Sequence, residues 1–157
     1  MKGPLTLVAI LPILVSFWAG QLSGPAPDFD VRSLDGHQLS LSSLRGKVVV
    51  LNFWFIACPP CRVEIPKLNQ LVKDFEGKNV VFIAFAPDSE EDLRAFLEET
   101  KFDYQVVAQA TPIAKEYGVT GAPTHIVVDK EGRIAAERRG AVNDPGKELG
   151  AIIRDVL

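Results

Sequence analysis

The chain has 157 residues, 47% of them hydrophobic and 24% charged, and a net charge of −3. That length suits one domain with a single sizeable core, and the apolar content excludes intrinsic disorder. No basic tract occurs anywhere, which excludes nucleic acid as a partner. The charge is unevenly placed, because no ionisable side chain stands between Lys2 and Asp28. Residues 1–27 therefore read as an apolar leader with a linker, and residues 28–157 as a mildly acidic domain.

Lys2 precedes the charge-free block Leu5–Ala19, the pattern of an export signal. At about 1.5 Å per residue this block spans roughly 22 Å as a helix. A hydrocarbon core is about 30 Å thick, so flanking neutral residues would have to extend the span. Cleavage after Ala19 or Gly20 would put Phe17 or Trp18 where a small residue is wanted. A cut after Ala26 would face Pro27. The expectation is an uncleaved membrane anchor, with a cleaved signal peptide as the alternative. Gln21 stands where a lipoprotein would need cysteine, so no lipid is expected. Lys2 on the cytoplasmic side places the domain outside.

Gly24–Pro27 reads as a short linker. Phe29–Ser33 and Gln38–Ser40, joined by Leu34-Asp35-Gly36-His37, predict a hairpin. Ser42–Gly46 makes a tight connection. Val48–Phe55 is almost wholly apolar and predicts a strand buried on both faces, in the middle of a sheet. A helical pattern follows Cys61 to about Phe75, with Leu68, Leu71 and Val72 in period and Pro66 inside it as an expected kink. Val80–Ala86 is a second buried strand. Ser89, with Asp92 three residues on, caps a helix carrying Leu93, Phe96 and Leu97. Tyr104–Val107 is a short strand. Thr111-Pro112 predicts a cap and first turn, and Gly118 the end of that helix. Strands at Thr124–Asp129 and Arg133–Arg138 flank a turn. Asp144-Pro145 caps a final helix with Leu149, Ile152, Ile153 and Val156 inward. The pattern is a three-layer α/β domain with a central mixed sheet.

Cys58 and Cys61 are the two cysteines of the chain. In an exported protein they are expected to pair. A bridge closing so short a loop adds little stability on loop-entropy grounds, which points away from a structural role. Cys58 falls where a buried strand gives way to a helix N-terminus, and such a position favours a thiolate. Cys61, one turn inside, is placed to resolve a mixed disulfide formed at Cys58. Pro59 and Pro60 have no N–H and deprive the Cys58 sulfur of donors. Arg62 is a candidate to compensate, and the expected balance is a lowered Cys58 pKa.

The run Asn52-Phe53-Trp54-Phe55-Ile56-Ala57-Cys58-Pro59-Pro60-Cys61-Arg62-Val63-Glu64-Ile65-Pro66 resembles the active-site segment of thioredoxin-fold proteins. In particular it resembles the membrane-anchored, extracytoplasmic thiol-disulfide oxidoreductases of the TlpA/ResA type, in the AhpC/TSA-thioredoxin superfamily. Gly118-Val119-Thr120-Gly121-Ala122-Pro123-Thr124 matches that family's second element, and the likeness covers about residues 26–157. It implies a thioredoxin-like fold with helices on both faces of the sheet. The N-terminal hairpin becomes an extension, and Ser89–Val107 a helix-strand insertion. It implies a cis Ala122–Pro123 bond whose backbone pairs with a client. Pro59, Pro60, Ala122, Pro123 and Thr124 become client-contacting residues, and Trp54, which matches a family aromatic, is either another or an apolar packing residue.

By the same likeness Glu64 is the glutamate that manages the Cys61 proton, its carboxyl pKa raised by desolvation. The competing reading pairs it in solvent with Lys67. Asn52 stands where thioredoxins carry a buried acid, and Ala57 where many relatives have Trp. The implied activity is reduction of protein disulfides without cofactor or resident metal, by a monomer in the periplasm or on the outer face of the cytoplasmic membrane. Clients would be extracytoplasmic disulfide proteins such as apocytochrome c, with electrons from a membrane thiol-disulfide donor; antioxidant activity is a secondary implication.

An oxidase or isomerase using the same residues is one alternative. Another is Cu(I) delivery, with His125 beside the thiols, but residues adjacent on a strand point to opposite faces and His125 reads more simply as a partly buried strand residue. A peroxidase lacks its expected lone cysteine and threonine.

Overall fold

The computed structural model describes residues 24–157. The leader, with its reading as anchor or signal, lies outside the described residues. Among these, no helix is long and apolar enough to cross a membrane.

Strands β1 (Asp30–Arg32) and β2 (Gln38–Ser40) form the predicted hairpin, with Val31 opposite Leu39. Its turn needs Gly36, whose φ of 91° is strained for a residue with a side chain. A 3-10 turn at Ser42–Leu44 leads into β3 (Val48–Phe53), all six residues of which are buried. The chain continues through α1 (Pro59–Asp74), β4 (Val80–Phe85), α2 (Glu90–Glu99), β5 (Gln105–Val107) and α3 (Thr111–Glu116). It closes with β6 (Thr124–Val128), β7 (Ile134–Arg139) and α4 (Pro145–Val156).

The main sheet has the order β5-β4-β3-β6-β7. β3 is parallel to β4 and antiparallel to β6, so the sheet is mixed and β3 is central. Period two then sorts β3 between two cores. Val48, Val50 and Trp54 pack with Ile65, Leu68 and Leu71 of α1, Leu93 of α2, and Leu149 and Ile153 of α4. Val49, Leu51 and Phe53 pack with Phe29 and Leu39 of the hairpin region and with Tyr117 after α3. Burying a side chain such as Leu68 contributes about 1.5–3 kcal/mol, and the two layers together fix α1 against the sheet. This is the thioredoxin-like arrangement that the sequence predicts.

The caps at Ser89 and Asp144 form as predicted, each side chain accepting from an N–H three residues on, at 3.1 and 3.0 Å. α3 begins one residue earlier than Thr111 suggests. The Ala110 carbonyl already accepts from Ala114, so Thr111 lies inside the first turn. Gly118 ends it with φ 65°, its N–H donating to Lys115 and that of Val119 to Ala114. α1 continues through Pro66, without the bond a residue there would give the Arg62 carbonyl. Gly24–Pro27 does not hang free as a linker. Ala26 donates to Gly132, Ile134 donates to Gly24, and the Tyr117 hydroxyl donates to Pro27 at 2.7 Å.

Candidate active site

β3 stops at Phe53 instead of Phe55. The Trp54 N–H reaches Phe85, and then the Asp88 carboxylate accepts from Ile56 at 3.2 Å and draws the chain out of the sheet. Cys58 donates back to the Phe55 carbonyl at 3.1 Å, closing the turn that ends at the N-terminus of α1. Cys58 is the N-cap residue and is extended, with Pro59 and Pro60 filling the first two helical positions. Its sulfur therefore meets one helix N–H, that of Cys61, at 3.3 Å. Cys58 and Cys61 form a disulfide with Cα atoms 5.3 Å apart, and they are 2% and 1% exposed. The Arg62 guanidinium sits over the Phe96 ring, 5.5 Å from its centroid.

Phe53 pairs with Thr124 across β3 and β6, which sets the turn carrying Pro123 beside the loop carrying Cys58. The Ala122–Pro123 bond is cis, as the resemblance implies. Pro123 and Thr124 are buried. The Pro123 carbonyl accepts from Gly140 at 2.8 Å, and the Thr124 hydroxyl donates to Gly121 at 2.8 Å. Of these three residues, half-buried Ala122 is the one with surface left for a client. Trp54 offers none, being 1% exposed and packed on Phe96 and Phe102. Ala57, Pro59 and Pro60 are exposed. Phe55 and Val63 are the large apolar side chains that stand exposed among the described residues, and both flank the cysteine pair in sequence. An apolar groove of about 210 Å³ runs from Phe55 past Pro87, Ala110 and Val119 to Ala122.

Glu64 lies three residues beyond Cys61, on the same face of α1. It is 2% exposed, so the solvated reading is wrong; Lys67 instead donates to the Asn143 carbonyl at 2.9 Å. The partner of Glu64 is His125, whose Nε2 lies 2.7 Å from the carboxylate. The approach is close, though its angle misses a straight hydrogen bond. His125 is wholly buried and opposite Asn52 in register, so both side chains leave the sheet on the α1 side. The expectation that His125 faces away fails because Pro123 and His125 are two residues apart and share a face. Tyr104 completes the cluster: burial, and then the charge on Glu64, push its phenol above its ordinary range.

Sequence reasoning missed His125 as the partner of Glu64, and also Tyr104, Asp88 and the exposed pair Phe55 and Val63. Period two counted from Pro123 was the signal for His125. His125 Nε2 lies against Glu64 and belongs to no convergent ligand set. Among the described residues no three His, Cys, Asp or Glu side chains converge to hold a metal ion.

The AhpC/TSA family matches residues 22–137 of this chain. Thiol-disulfide oxidoreductase ResA of Bacillus thuringiensis subsp. konkukian is 33% identical over 122 residues, covering 76% of this chain and 70% of that protein. Thioredoxin-like protein YneN of Bacillus subtilis is 37% identical over 112 residues, 69% of this chain and 66% of its own length. Among solved structures, a thioredoxin-family thiol:disulfide interchange protein from Chlorobium tepidum TLS has a TM-score of 0.75 at 26% identity, covering 88% of this chain and 99% of its own.

Proposed function

Because this chain belongs to the AhpC/TSA family and, within it, to the ResA-like thiol-disulfide oxidoreductases, we propose that it is a reductase of protein disulfides working outside the cytoplasm. The Cys58 thiolate attacks one sulfur of a client disulfide, forming a Cys58–client bond while the other client sulfur leaves and takes a proton. Cys61 gives its proton to Glu64 and attacks the Cys58 sulfur. The first client sulfur leaves as a thiol, and Cys58 and Cys61 are left as the disulfide seen here. Two electrons have passed to the client, and a donor dithiol must restore them. Ala57, Pro59, Pro60 and Ala122, with Phe55 and Val63, form the apolar ground on which a client segment rests. Pro123 and Thr124 hold the shape of that ground from below.

The observation that carries the reductive direction is the poverty of donors at Cys58. Helix N-termini stabilise thiolates through free N–H groups, and a strongly stabilised thiolate makes a disulfide oxidising. Here two prolines leave one N–H, at 3.3 Å, and both sulfurs are buried. Such a pair favours its disulfide and gives electrons away. The charge-free leader supplies the route out of the cytoplasm, with an anchor in the membrane. Extracytoplasmic proteins such as apocytochrome c are then the client class, and a membrane thiol-disulfide protein the donor.

Two assays at matched protein concentration test the direction. The chain kept reduced by dithiothreitol should reduce insulin disulfides rapidly. The oxidised chain should form few disulfides in a reduced, unfolded protein. Disulfide formation as fast as insulin reduction would reverse the assignment.

A further inference from the structure

Glu64 and His125 are the buried acid and the buried base of this domain. Every other acidic or basic side chain among the described residues keeps contact with solvent. They come from different elements, α1 and β6, and meet at 2.7 Å with their side chains 3% and 0% exposed. A carboxylate held in such surroundings stays ionised only if a countercharge is supplied. Among the described residues no other supplies one. Lys67 is occupied at Asn143 and Arg138, opposite His125 on β7, is exposed. The charged residues of α2 and α4 lie on their exposed faces. Asn52 is neutral, Tyr104 keeps its proton, and Cys58 and Cys61 are bridged. Asn52 Oδ1, the Tyr104 hydroxyl and His125 Nδ1 also lack a hydrogen-bonding partner among the described residues. A buried polar atom without a partner calls for an explanation, and a catalytic role is one.

We propose that His125 is a positioning residue for the exchange reaction, holding Glu64 in place and, as imidazolium, keeping it an anion one turn from Cys61. This rests on Glu64 being the base for Cys61. Before attack the pair is neutral overall, an anion beside a cation. When Cys61 passes its proton to Glu64, the pair carries one positive charge and Cys61 one negative charge, so the buried total does not change. Cys61 then forms its bond to the Cys58 sulfur, the departing thiolate takes a proton from water, and Glu64 returns its proton to water. Without His125 the same step would start from an uncompensated buried anion. At working pH such a carboxyl would instead hold its proton and could not act as a base.

The test follows the second step alone. The reduced protein is mixed with oxidised glutathione, and the rate at which Cys61 displaces glutathione from Cys58 is measured against pH by acid quench. In His125→Leu the loss of rate on the acid side should begin about 1–3 pH units higher than in the parent, the effect of removing an adjacent opposite charge. At a pH below both onsets that is about a tenfold to thousandfold slowing, recovered in alkali, whereas a damaged fold would not recover. His125→Gln fills the site without carrying charge and should show the same displacement, which serves if His125→Leu does not fold. In a Glu64→Gln background the His125 substitutions should move nothing further. Profiles of both His125 variants that overlay the parent would overturn the proposal while leaving Glu64 as the base. A Glu64→Gln profile that overlays the parent would overturn the reading of Glu64 itself.

Discussion

Cys58→Ser reduces insulin-disulfide reduction to background, and Cys61→Ser leaves a protein that accumulates covalently on its client. The asymmetry follows from where α1 begins. Cys58 is its cap, at the end of a loop held by Asp88 and flanked by the exposed Phe55, Ala57, Pro59 and Pro60. Cys61 is a turn further in, 1% exposed, with Glu64 one turn beyond it on the same face. A hydroxyl at 58 cannot enter disulfide exchange, so no slow version of the reaction remains. A hydroxyl at 61 permits the first step and blocks the second, so the mixed disulfide persists until an outside thiol removes it. Non-reducing electrophoresis with insulin separates the two outcomes. Activity retained by Cys58→Ser would show that the chemistry lies elsewhere.

Glu64→Gln slows the reduction by about a hundredfold, the low end of what a positioned acid or base contributes. Glutamine keeps the volume and can still touch His125, but it cannot accept the Cys61 proton. The substitution strands no fixed charge, because an imidazole, unlike the lysine or arginine cation, has a neutral form available. Stability should therefore hold while rate falls, and thermal unfolding alongside the insulin assay checks both. The slowing should fall on resolution, so this variant accumulates mixed disulfide transiently where Cys61→Ser accumulates it for good. A slowing confined to the first attack would remove Glu64 from its role.

What the sequence made legible was local. The apolar run at Val48 announces a central strand because nothing but double burial suits it, and all six residues of β3 are buried. Ser89 and Asp144 announce helix starts because their oxygens satisfy N–H groups three residues away. Cys58-Pro59-Pro60-Cys61 announces exchange chemistry because its spacing sets two sulfurs on one helical turn. What stayed hidden depends on residues distant in sequence. Gly24–Pro27 has the composition of a linker, and only its pairing with the segment around Gly132 gives it a place in the domain. The helix pattern by itself could not separate a buried Glu64 from one in solvent beside Lys67, because it does not say what stands opposite. The answer was His125, brought there by the antiparallel register of β6 on β3. Thr111 shows the limit of even a local rule, since Ala110 closes the first turn with its backbone alone.

The central claim is that this dithiol gives electrons to its clients, and the reduction potential of the Cys58–Cys61 couple tests it most directly. The full chain is equilibrated with dithiothreitol or glutathione buffers of known ratio, quenched, and its thiols counted. The account predicts a value at or below about −270 mV, that of thioredoxin. A value above about −180 mV would place the equilibrium about a thousandfold toward oxidation of clients and would contradict the assignment as a reductase.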